Sequence, residues 1–229
     1  MIPALQFGRR AIQDPHWAKV SLLMHFEEPD ESTTFIDHGP KKKSMTAAGT
    51  AKTDNGAAKF GSASLLIAES GGIFGGADDP DFNFSAGDFT WESFYRPTAL
   101  PTGGDFDALF SRSNNTSDGP WLFLFNGNAY FRNHLTELVT PAAHGMSAGV
   151  WYHIAAERYG SAFNVYRDGS SIASGSGASV TEPAGTAFHV GCTSSALHPS
   201  DGRFDEVRIT KGVARYKGAF TAPTAPFWY

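Results

Sequence analysis

Along much of the chain apolar side chains recur at every second position, the spacing of a strand that turns one face to a core. In residues 20–26, Val20, Leu22, Met24 and Phe26 share one face, with Ser21, Leu23 and His25 on the other. In residues 89–96, Phe89, Trp91, Ser93 and Tyr95 alternate with Thr90, Glu92, Phe94 and Arg96, and Pro97, which cannot donate to a ladder, ends the run. Residues 107–112 and 150–158 predict two further strands. Residues 121–125, Trp-Leu-Phe-Leu-Phe, are apolar on both faces, which predicts a strand covered from both sides. Near the C-terminus, Phe204, Glu206, Arg208 and Thr210 alternate with Asp205, Val207 and Ile209. This parity sets the Asp205 carboxylate beside two core residues, where it needs a partner, because an unpaired buried charge is costly.

Turn residues punctuate these runs. Asn126-Gly127 lies between apolar stretches and Asp168-Gly169 follows residues 163–167; both read as two-residue hairpin turns, in which the central residues take positive φ. Between Phe35 and Phe74, short apolar pieces separated by Gly, Asp, Asn and Ser read as short sheet strands. About a dozen strands at intervals of roughly ten residues, with no helical period, predict an all-β, two-sheet antiparallel sandwich. Residues 1–15 are too short and too broken by Pro3 and Gly8 to belong to it, so the chain divides into an N-terminal arm, 1–15, and one domain, 16–229. Ile2, Leu5 and Phe7, with Arg9 and Arg10, would dock that arm on another subunit; a frayed terminus is the alternative.

Composition agrees with this division. At 229 residues, one large domain is enough. Hydrophobic residues make up 41% and charged ones 18%, with 25 Gly and 13 Pro, which suits many strands joined by turns. A formal net charge of -5 argues against nucleic acid as a partner, and the basic run 41–43 is expected to be a solvated loop. The single cysteine, Cys192, leaves stability to packing rather than to an intrachain disulfide. No signal peptide and no membrane insertion are expected, because no stretch approaches roughly 18 consecutive apolar residues.

Two groups of residues invite chemistry. Glu27, Glu28, Asp30 and Glu31 crowd the exit of the first predicted strand, where they need solvent or a hard cation. Sugar recognition by a sandwich uses aromatic faces with Asp and Asn in loops, which points to Asn114, Asn115, Asp118, Trp121 and Asn133 as glycan contacts. The eight histidines form no His-x-His or His-Glu-x-x-His pattern.

Residues 20–26, 59–65, 87–92, 151–155 and 166–169, and above all 204–216, resemble in order and spacing the LamG-like jelly-roll branch of the concanavalin A-like lectin/glucanase superfamily. The resemblance implies a jelly-roll sandwich. It also implies a structural calcium where the first strand ends and the last core strand passes, with Glu27, Glu28 and Asp205 as ligands; backbone amides are the alternative partner of Asp205. Hydrolases of the superfamily carry alternating carboxylates on a concave strand, as a retaining glycosidase needs two about 5 Å apart. Residues 90–96 offer only Glu92, and Asp205 and Glu206, adjacent on a strand, would face opposite sides. The expectation is therefore no enzyme. Residues 208–216 and the Pro-Thr-Ala-Pro-Phe close are similar to modules of tailed-bacteriophage virion and tail-associated proteins. This similarity implies a virion structural or decoration protein of capsid or tail, made in the host cytoplasm. It would be a homo-oligomer in the assembly, held to other virion subunits by the arm and adhering to host surface glycans. A free-standing carbohydrate-binding lectin and a degenerate glycoside hydrolase are the alternatives.

Overall fold

The computed structural model describes residues 14–113 and 119–228, so the arm residues Ile2, Leu5, Phe7, Arg9 and Arg10 and the loop residues Asn114, Asn115 and Asp118 lie outside it. The alternating runs fold as strands β1 (Val20–Met24), β2 (Thr34–Ile36), β3 (Ser44–Gly49), β4 (Lys52–Asp54), β5 (Ser64–Ile67), β6 (Gly71–Phe74), β7 (Phe89–Pro97), β8 (Asp107–Ser111) and β9 (Pro120–Phe125). They continue as β10 (Asn128–Asn133), β11 (Thr136–Glu137), β12 (Ala142–Ala143), β13 (Tyr152–Tyr159), β14 (Ala162–Arg167), β15 (Ser170–Ser176), β16 (His189–Val190) and β17 (Gly202–Lys211). Helix among the described residues is limited to short 3-10 turns.

The strands form two antiparallel sheets. The front sheet runs β15-β14-β13-β7-β17-β5-β4 with β1 also on β17, and the back sheet runs β11-β10-β9-β8-β16-β6-β3-β2 with β12 on β10. Their inner faces meet in one core, to which the front sheet gives Leu22, Met24, Leu65, Trp91, Tyr95, Val207 and Ile209 and the back sheet Phe110, Leu122, Leu124 and Phe131. Trp91 is fully buried and lies edge-on to Phe110, Phe131 and Phe188. Both predicted hairpins form: Asn126 and Gly127 take φ of 45 and 78, and Asp168 and Gly169 take 50 and 83, the left-handed pair that a two-residue turn demands.

The central strand of the front sheet is β17. One of its edges pairs with β7; the other is shared, with β5 opposite Gly202–Phe204 and β1 opposite Val207–Thr210. At the gap between β5 and β1 the strand bulges. Asp205 pairs with Phe94 and Arg208 with Glu92, so two residues of β17 stand opposite Ser93, and Glu206 carries a φ of 53. That bulge corrects the predicted parity. Phe204, Val207 and Ile209 all enter the core, while Asp205 shares the outer face with Phe94 and Arg208. A second irregularity, between Val20 and Leu22, moves Val20 out of the main core into an outer cluster with Leu23, Phe94 and Phe227.

The basic run is less solvated than expected. Lys43 Nζ sits 2.8 Å from Asp79 and 2.5 Å from Asp81, and Lys41 lies 3.6 Å from Asp81.

Candidate functional site

Glu92, the one carboxylate of residues 89–96, lies on the outer face of the front sheet, and the C-terminal segment 212–228 covers that face. The segment is pinned by its backbone amides. Arg215 N–H donates to Thr90 Oγ1 at 3.1 Å, Tyr216 and Lys217 N–H to the two Glu157 oxygens at 2.8 and 2.7 Å, and Phe220 N–H to the Gly169 carbonyl at 2.9 Å. Beneath it Glu92, fully buried, accepts from Arg208 Nε at 2.8 Å, sits 3.2 Å from His153 Nε2 and 3.6 Å from Arg215 Nε, and accepts the Tyr216 hydroxyl. Asp14 completes the network, 2.7 Å from Arg215 and 3.4 Å from Arg208. Burial alone would raise the Glu92 pKa, but the Arg208 charge, the His153 hydrogen bond and Arg215 outweigh it and hold the carboxyl well below its usual range. A carboxylate so neutralised and covered is neither an acid nor a nucleophile for a bound sugar.

The carboxylates expected to hold calcium each accept hydrogen bonds from the chain, although Glu28 Oε2 and Asp205 Oδ1 stay buried with no hydrogen-bond partner among the described residues. Asp205 Oδ2 accepts the Lys59 and Phe60 N–H groups at 2.7 and 3.0 Å, Glu27 accepts the Ser62 N–H and hydroxyl at 3.0 and 2.6 Å, and Glu28 accepts the Ile36 N–H at 2.7 Å. The three do not converge; the one group of carboxylates close enough to share an ion among the described residues is Asp30, Glu31 and Asp54. Asp30 and Glu31 of that group are exposed, Asp54 is half-buried, and two of the three are engaged elsewhere, Glu31 by Lys52 at 2.6 Å and Asp54 by Arg203 at 2.5 Å. Asp205 therefore joins the β17 bulge to the loop before β5 through backbone amides. Burial, with the nearby Glu206 charge adding to it, pushes its carboxyl up to about 8.

The two predicted glycan contacts within the described residues are also committed internally. Trp121 is 1% exposed and stacks on Phe123 at 3.6 Å under the Phe106 ring. The Asn133 amide donates to Thr181 Oγ1 at 3.1 Å and accepts the Thr181 N–H at 2.8 Å. An apolar strand run shows that both faces are covered but not by what, and the covering ring here is the chain's own Phe106.

A concavity of about 560 Å³ lies at the Gly202 end of β17, where the loop from β7 to β8 meets the loop from β16 to β17. Backbone bonds hold the loop before β17 to the other side: Thr98 N–H donates to the Asp201 carbonyl at 2.9 Å, and Ala108 N–H, in β8, to the His198 carbonyl at 3.0 Å. Glu69, Asp105, Asp107 and Asp201 supply carboxylates to the lining, His198 an imidazole, and Leu100, Phe106 and Leu197 apolar surface. Phe106 is half-buried, stacked on Phe125 at 4.4 Å and edge-on to His198 at 5.1 Å. Burial, reinforced by the Asp201 and Asp105 charges, pushes the Asp107 carboxyl up to about 7, although the Tyr95 hydroxyl donates to it at 3.3 Å. Asp201 is raised by burial and then by Glu69, and His198 is lowered by burial. At neutral pH the pocket thus offers hydroxyl-reading donors and acceptors beside an aromatic ring, under a net negative charge. Sequence reasoning missed it. The available signal was Asp105-Phe106-Asp107 directly after Gly103-Gly104, two carboxylates flanking a ring at a loop tip.

Comparison with known proteins places this architecture. A family model described as the concanavalin A-like lectin/glucanases superfamily matches residues 71–215. No curated protein matches the chain by sequence. Among solved structures, the binding domain of Paraclostridial Mosquitocidal Protein 1 is similar over 86% of this chain and 50% of its own, with 15% identity and a TM-score of 0.63. Domain 4 of AbnA, a GH43 extracellular arabinanase from Geobacillus stearothermophilus, solved in complex with arabinotriose, is similar over 85% of this chain and 93% of its own, with 21% identity and a TM-score of 0.60. The binding domain of Botulinum Neurotoxin DC in complex with SialylT is similar over 86% and 49%, with 9% identity and a TM-score of 0.63. The chain thus spans about half the length of the toxin binding domains and nearly all of the arabinanase domain.

Proposed function

Since the chain belongs to the concanavalin A-like lectin/glucanase superfamily, we propose that it is a non-catalytic carbohydrate-binding module whose sugar site is the concavity of Asp105, Phe106, Asp107, His198 and Asp201. The observation that carries this reading is the pairing in one open pocket of a half-buried aromatic ring with four carboxylates and an imidazole. A pyranose or furanose has an apolar face for the ring and hydroxyl edges for the oxygens and nitrogens. The covered state of Glu92 argues against hydrolysis on the front sheet. Solved relatives in complex with arabinotriose and with SialylT support a sugar as ligand, and the acidic lining selects between such ligands. Carboxylates repel sialylated and uronic sugars, so the preferred ligand is neutral.

The test is a titration of the intact protein with arabinotriose and other neutral oligosaccharides, with a sialylated one as the contrast. Neutral sugars should bind, Asp105→Asn and His198→Ala should each weaken binding about tenfold or more, and no new reducing ends should appear on incubation. A blank neutral panel, or binding that neither variant disturbs, would overturn the site. Virion attachment is the setting we propose for the module, resting on the similarity of residues 208–216 to phage virion modules; absence of the chain from purified particles would refute it.

A further inference from the structure

The chain carries a second concavity, about 260 Å³, that shares no residue with the first. It lies beside the β17 bulge, between the end of β1 and the C-terminal segment, and His25, Glu27, His38, Glu206, Phe227 and Trp228 line it. Trp228 is 62% exposed, whereas Phe227 beside it is 4% exposed. Phe227 is anchored twice: its N–H donates to Glu206 Oε2 at 2.7 Å, and its ring lies 3.9 Å beneath the Arg208 guanidinium. The backbone that presents the exposed indole is therefore fixed at the residue before it. A large apolar ring left in water forgoes the stabilisation of burial, and holding it open on an anchored backbone suits a ligand that covers it.

The walls are equally prearranged. His25 Nδ1 sits 2.7 Å from Glu206 Oε1, and the His25 and His38 rings lie 4.8 Å apart. The Glu27 carboxylate is oriented by Ser62 and packs against Gly61, where a Cβ would meet Glu27 Oε1 at 1.9 Å. Only glycine lets the carboxylate lie there. Burial, and then the His25 charge, hold His38 below the usual imidazole range, so its neutral ring can both donate and accept.

From the exposed indole and this polar wall we propose that the Trp228 pocket is a second sugar subsite, which stacks a neutral pyranose on Trp228 and reads its hydroxyls with Glu27, His25 and His38. An aromatic face with carboxylate and imidazole at its rim matches the two-sided chemistry of a pyranose, and two carboxylates disfavour an anionic sugar. The ligand class follows the function proposed above, but the pocket stands on separate residues. Two sites on one chain would let a weakly held polysaccharide bind with the gain that comes from linking sites.

The experiment is an NMR titration of the intact ¹⁵N-labelled protein with arabinotriose, cellotriose, maltotriose and chitotriose, following the Trp228 indole N–H and the amides of Asp105 and Asp201 separately. At least one sugar is expected to shift the Trp228 indole resonance saturably. In Trp228→Ala that site should weaken about tenfold or more, in Trp228→Phe it should be largely retained, and the responses of Asp105 and Asp201 should persist in both. A Trp228 resonance that no sugar moves at millimolar concentration, or saturation unchanged in Trp228→Ala, would overturn the subsite. Silence confined to Asp105 and Asp201 would instead overturn the first site.

Discussion

At the scale of single residues, one left-handed residue decides how the strand most telling in the sequence is built. Residues 204–210 alternate regularly on paper, yet Glu206 takes a φ of 53 and two residues of β17 stand opposite Ser93. Every residue on the far side of that bulge changes face relative to a regular strand. The alternation was legible; the bulge was not, because Glu is an uncommon choice for positive φ and nothing local announces it. The pressure comes from the shared edge, where Asp205 reaches the Lys59 and Phe60 amides and Glu206 reaches His25 and Phe227. Asp205 should also leave a mark on stability. Its carboxyl titrates near 3.8 when unperturbed and is pushed up to about 8 in the fold by burial. The folded chain therefore holds a proton that the unfolded chain has released. The stabilisation is complete below about pH 4 and is lost as pH rises toward 8, with a limiting slope of about 1.4 kcal/mol per pH unit. Asp205→Asn keeps a carbonyl oxygen for the two amides and has no proton to lose. Urea denaturation at a series of pH values should show wild-type stability falling across this window more steeply than that of the variant. Parallel profiles would mean that Asp205 is ionised in the folded protein.

At the scale of elements, the segment 212–228 covers the outer face of the front sheet, on which Glu92 and Glu157 lie. Its sequence, with Gly212, Gly218, Pro223 and Pro226, has little alternation and predicts no strand. The structure makes it a cover held by Tyr216, Phe220 and Phe227, the first two stacked at 3.5 Å. What hid this was its chemistry. The cover docks on charge as well as on apolar surface, and the partners, Asp14, Glu92 and Glu157, are scattered along the chain. The concavity of Asp105 and Asp201 was hidden for the same reason, since both belong to loops that only the folded sheets bring together. Such a buried network is strongest as a whole. Removing one partner leaves the others buried and unpaired, which typically costs about 3–5 kcal/mol. Arg215 is the cover's own member of the network, with Asp14 2.7 Å away and Thr210 Oγ1 accepting from its Nε at 2.7 Å. Arg215→Ala is expected to lose stability on that scale by chemical denaturation and to speed hydrogen exchange at the Tyr216 and Lys217 amides. A loss under about 1 kcal/mol, the level of a surface pair, would show that the cover rests on its aromatic rings alone.

At the scale of the whole molecule, the sandwich was legible because its strands carry their evidence locally. The faces of β7 and the turns at Asn126-Gly127 and Asp168-Gly169 needed no distant information. Strand order did need it. The last strand in sequence, β17, is central to the front sheet and joins β7 to both β5 and β1. Until it is in place, β1 has no neighbour, β5 has only β4, and the inner faces of Leu22, Met24 and Leu65 lack the Val207 and Ile209 side chains that pack with them. Sheet pairing between such distant segments must meet the entropy of closing large loops before any contact rewards it. Folding should therefore be slow for a chain of this size, in the millisecond-to-second range, and all-or-none with respect to β17. A chain ending at Pro199 should lack near-ultraviolet circular dichroism and dispersed amide resonances although it retains most of the strands. Adding a synthetic peptide of residues 200–228 should restore both, because the peptide brings β17, the Asp205 anchor and the cover as one unit. If the shortened chain is already native-like alone, β17 closes a sheet that had formed without it, and its central position would be a consequence of the fold and not a condition for it.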